Sequence, residues 1–350
     1  MPKSKRNAIR GAVADFLASR NWPQKKLAGL AGISPTTLNQ FINATYKGDF
    51  VTVAKKLTDT MKSVVRREKQ SQEKKFVETS VVKRINAIIV HTDSLSEEYE
   101  GAISLIIGDS GHGKSVCLRA FADANLNAIY VEVDTAMNAT AMFAAIAQRI
   151  RIDSDGTLSN LTRRLISALE HRRVTIIIDE ASGLSVSQLN LLRTVIVGKC
   201  RCPLVLSGNN DLLKTVNQST TRRGFESLDQ FRSRMVAICN LDELAGSKKD
   251  DGGFYSAADI RAMYEYGGVK LSSDAAKTLR NIARTPQSGR LRTCSRIIAA
   301  LHCSRVVEQE GTITGEHIIA AIEELDLPVR VRLPLGRRSA AGREQKTKAG

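Results

Sequence analysis

Apolar residues change their spacing several times along this chain, and each change predicts a different layer. Residues 6–60 follow a helical pattern centred on Gln24–Asn43. There Leu27, Ile33, Leu38 and Ile42 supply an inner face, and Ala28 is small where two helices must approach. The segment predicts a short helix, a turn at Gly32, and a second helix capped by Ser34 with Pro35 in its first position. Residues 61–75 lose the periodicity and gain charge, which predicts a linker or a frayed helix end. An amphipathic stretch with Val81, Val82, Ile85, Ile88 and Ile89 follows. From 102 to about 242, apolar runs at 102–107, 128–133, 174–179, 203–206 and 235–241 read as strands. Helical patterns at 116–125, 138–150, 157–171 and 185–198 fill the gaps. Such alternation, with strands apolar nearly throughout, predicts an α/β core: a parallel sheet with helices on both faces. Beyond 244 strand signals stop, and helical patterns at 256–266, 272–284, 291–310 and 314–325 predict a small helical domain.

Length agrees with this partition, since 350 residues suit two or three cores. No apolar run is long enough to span a bilayer and the amino terminus lacks a signal-peptide core, so we expect a soluble, cytoplasmic protein without membrane contact. The six cysteines are scattered, and Cys200-x-Cys202 has no partner pair at zinc spacing, which favours buried thiols over metal ligands. Charge is unevenly placed. The net +16 arises from about +11 in residues 1–75 and +6 in 329–350, with 76–328 near neutral. Two basic ends are either solvated faces or sites for a polyanion, because each neutralised phosphate releases counterions.

The strongest chemical signal is Gly108-Asp109-Ser110-Gly111-His112-Gly113-Lys114-Ser115, which fits G-x-x-x-x-G-K-[ST] between a predicted strand and helix. Such a loop aims backbone N–H groups and a helix N-terminus at one spot. Lys114 can reach the β- and γ-phosphates and the Ser115 hydroxyl can ligand Mg²⁺, with Val116 at the rim. We therefore expect ATP and Mg²⁺ as cofactors. About 65 residues later the strand Val174–Ile178 ends in Asp179-Glu180, delivering two carboxylates to the same sheet edge. Asp179 is expected to hold Mg²⁺ through water, and Glu180 to polarise the attacking water. The strand Pro203–Ser207 ends at Gly208-Asn209, where Asn209, or Asn210 beside it, could bond the γ-phosphate. Asparagine in that place is also a common turn former.

These elements, in this order and followed by a helical domain, resemble the AAA+ ATPases. The resemblance implies a polar γ-phosphate sensor, here Asn209, and an arginine that reaches the neighbouring subunit. Arg234 is the first choice for that finger and Arg232 the second, with Arg222 and Arg223 more remote. It also implies an arginine of the helical lid facing the nucleotide; Arg292 in Ser288-Gly289-Arg290-Leu291-Arg292 matches best and Arg290 is the alternative. The amino-terminal pattern resembles the repressor-type helix-turn-helix. That places Ser34, Thr36, Thr37, Asn39 and Gln40 toward a DNA groove, with Lys25, Lys26, Lys47, Lys55 and Lys56 as phosphate contacts; a helical hairpin that binds protein is the alternative.

The combination of helix-turn-helix, basic linker, single AAA+ module and lid resembles the phage Mu B-type transposition ATPases over residues from about 10 to 328. The expected boundaries are a helix-turn-helix domain at 1–60, a basic linker at 61–78, an AAA+ core at 79–243, a helical lid at 244–328 and a basic disordered tail at 329–350. The resemblance implies a DNA-stimulated ATPase that binds double-stranded DNA with little sequence preference, self-associates into an ATP-dependent oligomer or filament and delivers DNA to a transposase. A replication initiator or helicase loader shares the core and lid, and a nucleotide-switched transcription regulator shares the helix-turn-helix.

Overall fold

The computed structural model describes residues 2–73, 76–98, 101–170, 172–218, 227–246, 254–303 and 311–329. The expected disordered tail, apart from Val329, and Arg222 and Arg223 lie outside the described residues. The chain divides into two units, residues 1–76 and 77–350.

The first unit holds α1 (Lys3–Ser19), α2 (Gln24–Leu30), α3 (Pro35–Ile42) and α4 (Phe50–Glu73). Helix α2 ends in a left-handed turn. Gly32 has φ +61, and Ile33 N–H reaches back to Ala28 O at 3.0 Å, closing the helix end with a residue that adopts positive φ without strain. Ser34 Oγ then accepts from Thr37 N–H at 3.0 Å and starts α3. Leu27, Ala28, Leu38 and Phe41 are fully buried, and Phe41 stacks on Phe50 at 4.7 Å. Phe41 takes the inner position expected for Ile42, which is only half-buried. Residues 61–73, read as linker or frayed helix, continue α4 as helix; a basic, weakly periodic sequence of good helix formers conceals a helix from periodicity alone.

In the second unit, α5 (Ser80–Glu98) precedes a five-stranded parallel sheet. The strands are β1 (Ile103–Ile107), β2 (Ala128–Glu132), β3 (Thr175–Asp179), β4 (Leu204–Gly208) and β5 (Met235–Asn240), in spatial order β2-β3-β4-β1-β5. Alternate residues feed two cores. Leu105, Ile176, Ile178, Leu204 and Leu206 face α7 (Ala139–Arg149), α8 (Leu158–Leu169) and α9 (Val186–Leu192). Ile106, Ile177 and Val205 face α5, α6 (Lys114–Ala124) and the carboxyl-terminal helices. Because all strands point the same way, the loops after β1, β3 and β4 and the start of α12 (Leu241–Gly246) share one edge, where such sheets hold ligands.

The helix expected at 185–198 changes register midway. Residues Arg193–Lys199 form a π-helical segment that hands the chain to β4. Short α10 (Asn210–Asn217) and α11 (Asp229–Arg232) lie between β4 and β5. The carboxyl-terminal helices are α13 (Ala257–Tyr264), α14 (Ser273–Arg284), α15 (Arg290–Cys303) and α16 (Gly315–Glu324). Among them sits a two-residue parallel pair, β6 (Lys270–Leu271) with β7 (Thr312–Ile313), where no strand was expected; two residues leave no alternation to read. Cys117, Cys200, Cys202, Cys239 and Cys294 are buried and free, and burial pushes the Cys117, Cys200 and Cys294 thiols up to about 12.

Candidate nucleotide site

The loop Gly108–Ser115 joins β1 to α6 as its sequence predicts. Gly111 lies at φ +97, and a Cβ there would stand 2.3 Å from Gly289 O in the turn before α15, so both backbone conformation and contact demand glycine. Lys114 opens α6 and is 9% exposed. Its ammonium donates to the loop's own carbonyls, Gly108 O and Asp109 O, the latter at 3.0 Å. Burial lowers its pKa, opposed by the carboxylates of Asp179, Glu180, Asp242 and Asp109.

Asp179 is fully buried at the end of β3. Its Oδ2 accepts from the Tyr130 hydroxyl at 3.0 Å and its Oδ1 from Glu180 N–H at 3.0 Å. The next residue turns out of the sheet. Glu180 has φ +57 and is exposed, and residues 181–183 form a single 3₁₀ turn after it. Beside Asp179, one step beyond the paired residues Ile178 and Leu206, lies Ser207 on β4. Its buried Oγ has no hydrogen-bond partner among the described atoms. The donor set fits a triphosphate with Mg²⁺: an ammonium held by loop carbonyls, the half-buried Ser115 hydroxyl, a buried carboxylate and an orphan hydroxyl, all hard oxygen donors apart from the lysine. Val116, next along α6, is 63% exposed.

Asn209 acts as the N-cap of α10. Its Oδ1 accepts from Asp211 N–H at 2.8 Å, and its own N–H donates to Ser182 Oγ. Asn210 reaches toward the phosphate loop instead, its Nδ2 lying 3.4 Å from Asp242 Oδ2. Of the two lid arginines, Arg290 is 1% exposed and ion-paired with Asp242 at 2.5 Å, whereas Arg292 is exposed on the first turn of α15. Arg290 is therefore part of the packing behind the loop.

Arg234 lies immediately before β5, where Ile103 N–H donates to its carbonyl at 2.9 Å. Since β1 and β5 run parallel, this is the edge opposite the phosphate loop, a strand length away at about 3.3 Å per residue. Arg232 is held within its own chain by Val216 O at 2.9 Å and by Asp229.

The groups that sequence reasoning missed surround His112. Its Nε2 lies 2.8 Å from Asp242 Oδ1 and its Nδ1 meets the Tyr255 hydroxyl. Burial lowers the imidazole pKa to about 4. Asp242 follows an apolar strand at the loop edge, as Asp179 does, and that placement was the signal available for it.

In the amino-terminal unit, Thr36, Asn39 and Gln40 are exposed at i, i+3 and i+4 of α3 and so share one face. Ser34 and Thr37 bond each other and close the helix start, so the structure engages them in capping. Lys25, Lys26, Lys47, Lys55 and Lys56 are exposed, and the Lys26 ammonium lies 3.8 Å from the Trp22 ring centroid.

Residues 97–216 match the family described as AAA domain. The chain is 24% identical over 325 residues to the ATP-dependent target DNA activator B of Escherichia phage D108, covering 92% of this chain and 96% of that protein, and equally to that of Escherichia phage Mu. Among solved structures it is similar to the Aeropyrum pernix ORC1 protein in complex with DNA, at 19% identity over 71% of this chain and 66% of that one, with a TM-score of 0.47. Among the described residues no helix is long and apolar enough to cross a membrane. With a phosphate loop, a strand-end carboxylate pair and a helical lid on one parallel sheet, residues 97–216 match the AAA domain, and the chain is similar over nearly its whole length to the target DNA activators B of phages D108 and Mu.

Proposed function

We propose that this protein is an ATP-dependent activator of target DNA: it assembles on double-stranded DNA with ATP bound, delivers that DNA to a transposase and leaves on hydrolysis. The observation that carries this reading is the contrast at the end of β3. A buried Asp179 stands beneath the loop that holds Lys114, while Glu180 is turned out into solvent. That is the division needed between holding a metal and activating water.

In this reading Lys114 and the loop N–H groups bind the triphosphate, and Ser115 and Asp179 hold Mg²⁺. The metal neutralises phosphate charge when bound. Glu180 orients a water for in-line attack on the γ-phosphate and accepts its proton. Asn209 retains an amide N–H₂ for the γ-phosphate while its oxygen caps α10, and Asn210 braces the loop through Asp242. Arg292, exposed at the head of α15, closes on the phosphates from the lid. Arg234 stands at the far sheet edge, so it serves a neighbour's site rather than its own. Hydrolysis then requires assembly, since the developing negative charge meets its last cation only at an interface. A DNA surface that collects subunits thereby stimulates turnover. The helix-turn-helix domain at 1–60 and the basic stretch at 61–78 supply that surface, the AAA+ core at 79–243 and lid at 244–328 the switch. The setting is the cytoplasm of a bacterial or phage-infected host cell.

The test is electron microscopy and fluorescence anisotropy with random-sequence duplex. ATP with Mg²⁺ should give long DNA-coating assemblies that ADP does not, and Lys114→Ala should abolish them. Binding confined to one short site, unaffected by nucleotide, would replace this reading with that of a sequence-specific regulator.

A further inference from the structure

Asp242, on the first turn of α12, gathers four groups from three parts of the unit. Its Oδ2 accepts from Asp109 N–H at 2.8 Å and from Asn210 Nδ2 at 3.4 Å. Its Oδ1 accepts from Arg290 Nη2 at 2.5 Å and from His112 Nε2 at 2.8 Å. Asp109 and His112 belong to the phosphate loop, Asn210 to α10 and Arg290 to the lid. The His112 ring is buried and faces the Tyr255 hydroxyl with its other nitrogen. A neutral imidazole there carries its proton on Nε2, toward the carboxylate, and accepts from tyrosine at Nδ1. Arg290 is as deeply buried, and its Nη1 donates to Ala283 O and Arg284 O at 3.2 Å, the carbonyls ending α14. The next residue completes the junction, Leu291 N–H donating to Gly111 O at 3.1 Å.

The backbone on the two sides of Asp109 shows what this arrangement does. Its N–H is held by Asp242, and its carbonyl faces the Lys114 ammonium. The orientation of the loop backbone is therefore fixed from behind by a carboxylate whose own charge is balanced by a lid arginine. If Arg290 withdraws with the lid, the half-buried Asp242 loses its cation and Arg290 loses its only carboxylate among the described residues, so the carboxylate that holds the Asp109 N–H is free to reorient and the loop with it.

We propose that Asp242 is a positioning residue that makes the phosphate-binding shape of the loop depend on the lid through Arg290. This rests on the reading that the loop binds a nucleotide. Neither Asp242 nor Arg290 touches the γ-phosphate in this scheme. The loop cradles phosphates common to ATP and ADP, so losing the clamp weakens both nucleotides by the same factor. An arginine that touches the γ-phosphate discriminates between them instead.

Isothermal titration of the full chain with ATP and with ADP tests this, for wild type, Asp242→Asn, Arg290→Met and the double variant. An amide at 242 presents one oxygen and one N–H₂, so one pair of donors must face a donor. Each single variant should weaken both nucleotides at least tenfold and equally, and the double should be no weaker than the worse single, because both break one clamp. Affinity within twofold of wild type in Arg290→Met, or effects that multiply in the double, overturns the proposal. If Arg290→Met fails to fold by circular dichroism, Arg290→Lys takes its place: an equal loss for ATP and ADP supports the clamp, and wild-type affinity for both overturns it. A wild-type chain that binds neither nucleotide instead defeats the underlying reading of the loop.

Discussion

Asp179 and Glu180 are adjacent in sequence and opposite in environment: one is fully buried with both carboxylate oxygens engaged, the other is exposed at φ +57. A non-glycine residue at positive φ is uncommon and marks a backbone bent for a purpose or a turn. Here the bend carries the second carboxylate away from the first. Glu180→Gln keeps the size and polarity of the side chain while removing the proton acceptor. Steady-state phosphate release should fall by about 10²–10⁴-fold, the usual worth of a general base, with ATP affinity unchanged and DNA complexes correspondingly long-lived. Turnover at the wild-type rate removes Glu180 from the chemistry.

Tyr130 supplies one of the two hydrogen bonds to the buried Asp179, from the neighbouring strand β2. Tyr130→Phe leaves that oxygen without its protein donor and should lower unfolding free energy by about 1–3 kcal/mol in urea titrations. A change below a few tenths would mean that Asp179 does not depend on this bond.

Much of the fold was legible because its signals are local. The five strands are short apolar runs bounded by turn residues, and the loop at Gly108–Ser115 is a pattern whose spacing is dictated by phosphate geometry. The lid–loop clamp was not legible, for a physical reason. Asp242, Arg290 and His112 stand 48, 130 and 178 residues apart in their pairings or across the set, and nothing in the local sequence of any one announces the others. The same blindness hid which lid arginine is buried: Arg290 and Arg292 are two residues apart, and only tertiary packing separates a buried ion pair from an exposed side chain. Helix α4 was missed past residue 60 because its charged stretch has helix-forming residues but no apolar stripe to read.

His112 should impose a pH dependence on stability. Its pKa is lowered from 6.5 to about 4, first by burial and further by Arg290 and Lys114, while Asp242 opposes the shift; Tyr255 is the remaining titratable group against it. Because the folded value lies below the unfolded one, the contribution is fully present above about pH 6.5 and is lost as pH falls toward 4, when the unfolded chain takes up the proton first. The loss is on the order of 3 kcal/mol at its limit. Urea unfolding at pH 7, 6, 5 and 4.5 should show it in wild type, and His112→Gln, which does not titrate, should give a flatter profile. Parallel profiles would assign the acid sensitivity to other groups.

Arg234 at the edge opposite its own phosphate loop predicts complementation between defective subunits. Alone, Arg234→Ala and Lys114→Ala should each lose DNA-stimulated hydrolysis, the first by 10³-fold or more if it supplies the trans-acting cation. Mixed, Arg234→Ala subunits keep an intact loop and Lys114→Ala subunits offer an intact finger, so part of the activity should return. The same mixture made with Arg232→Ala should hydrolyse no faster than Arg232→Ala alone, since Arg232 is held by Val216 and Asp229 within its own chain. No recovery in an Arg234 mixture whose two subunits co-assemble on DNA, checked by labelling the Lys114→Ala subunit, would exclude a finger at that position.

The exposed face of α3 and the lysines around it separate two ways of binding DNA. Thr36, Asn39 and Gln40 share one outward face, whereas Lys25, Lys26 and Lys47 are exposed cations. A lysine that neutralises a phosphate releases a counterion, so Lys25→Ala and Lys47→Ala should each weaken random-duplex binding and make the slope of log affinity against log salt shallower by about 0.9. Asn39→Ala and Gln40→Ala should leave that slope unchanged, because a neutral side chain releases no ion. With little sequence preference, they should also weaken all duplexes alike. A large loss confined to one sequence would assign α3 a reading role, and unchanged binding in all four variants would give this helix pair a protein partner in place of DNA.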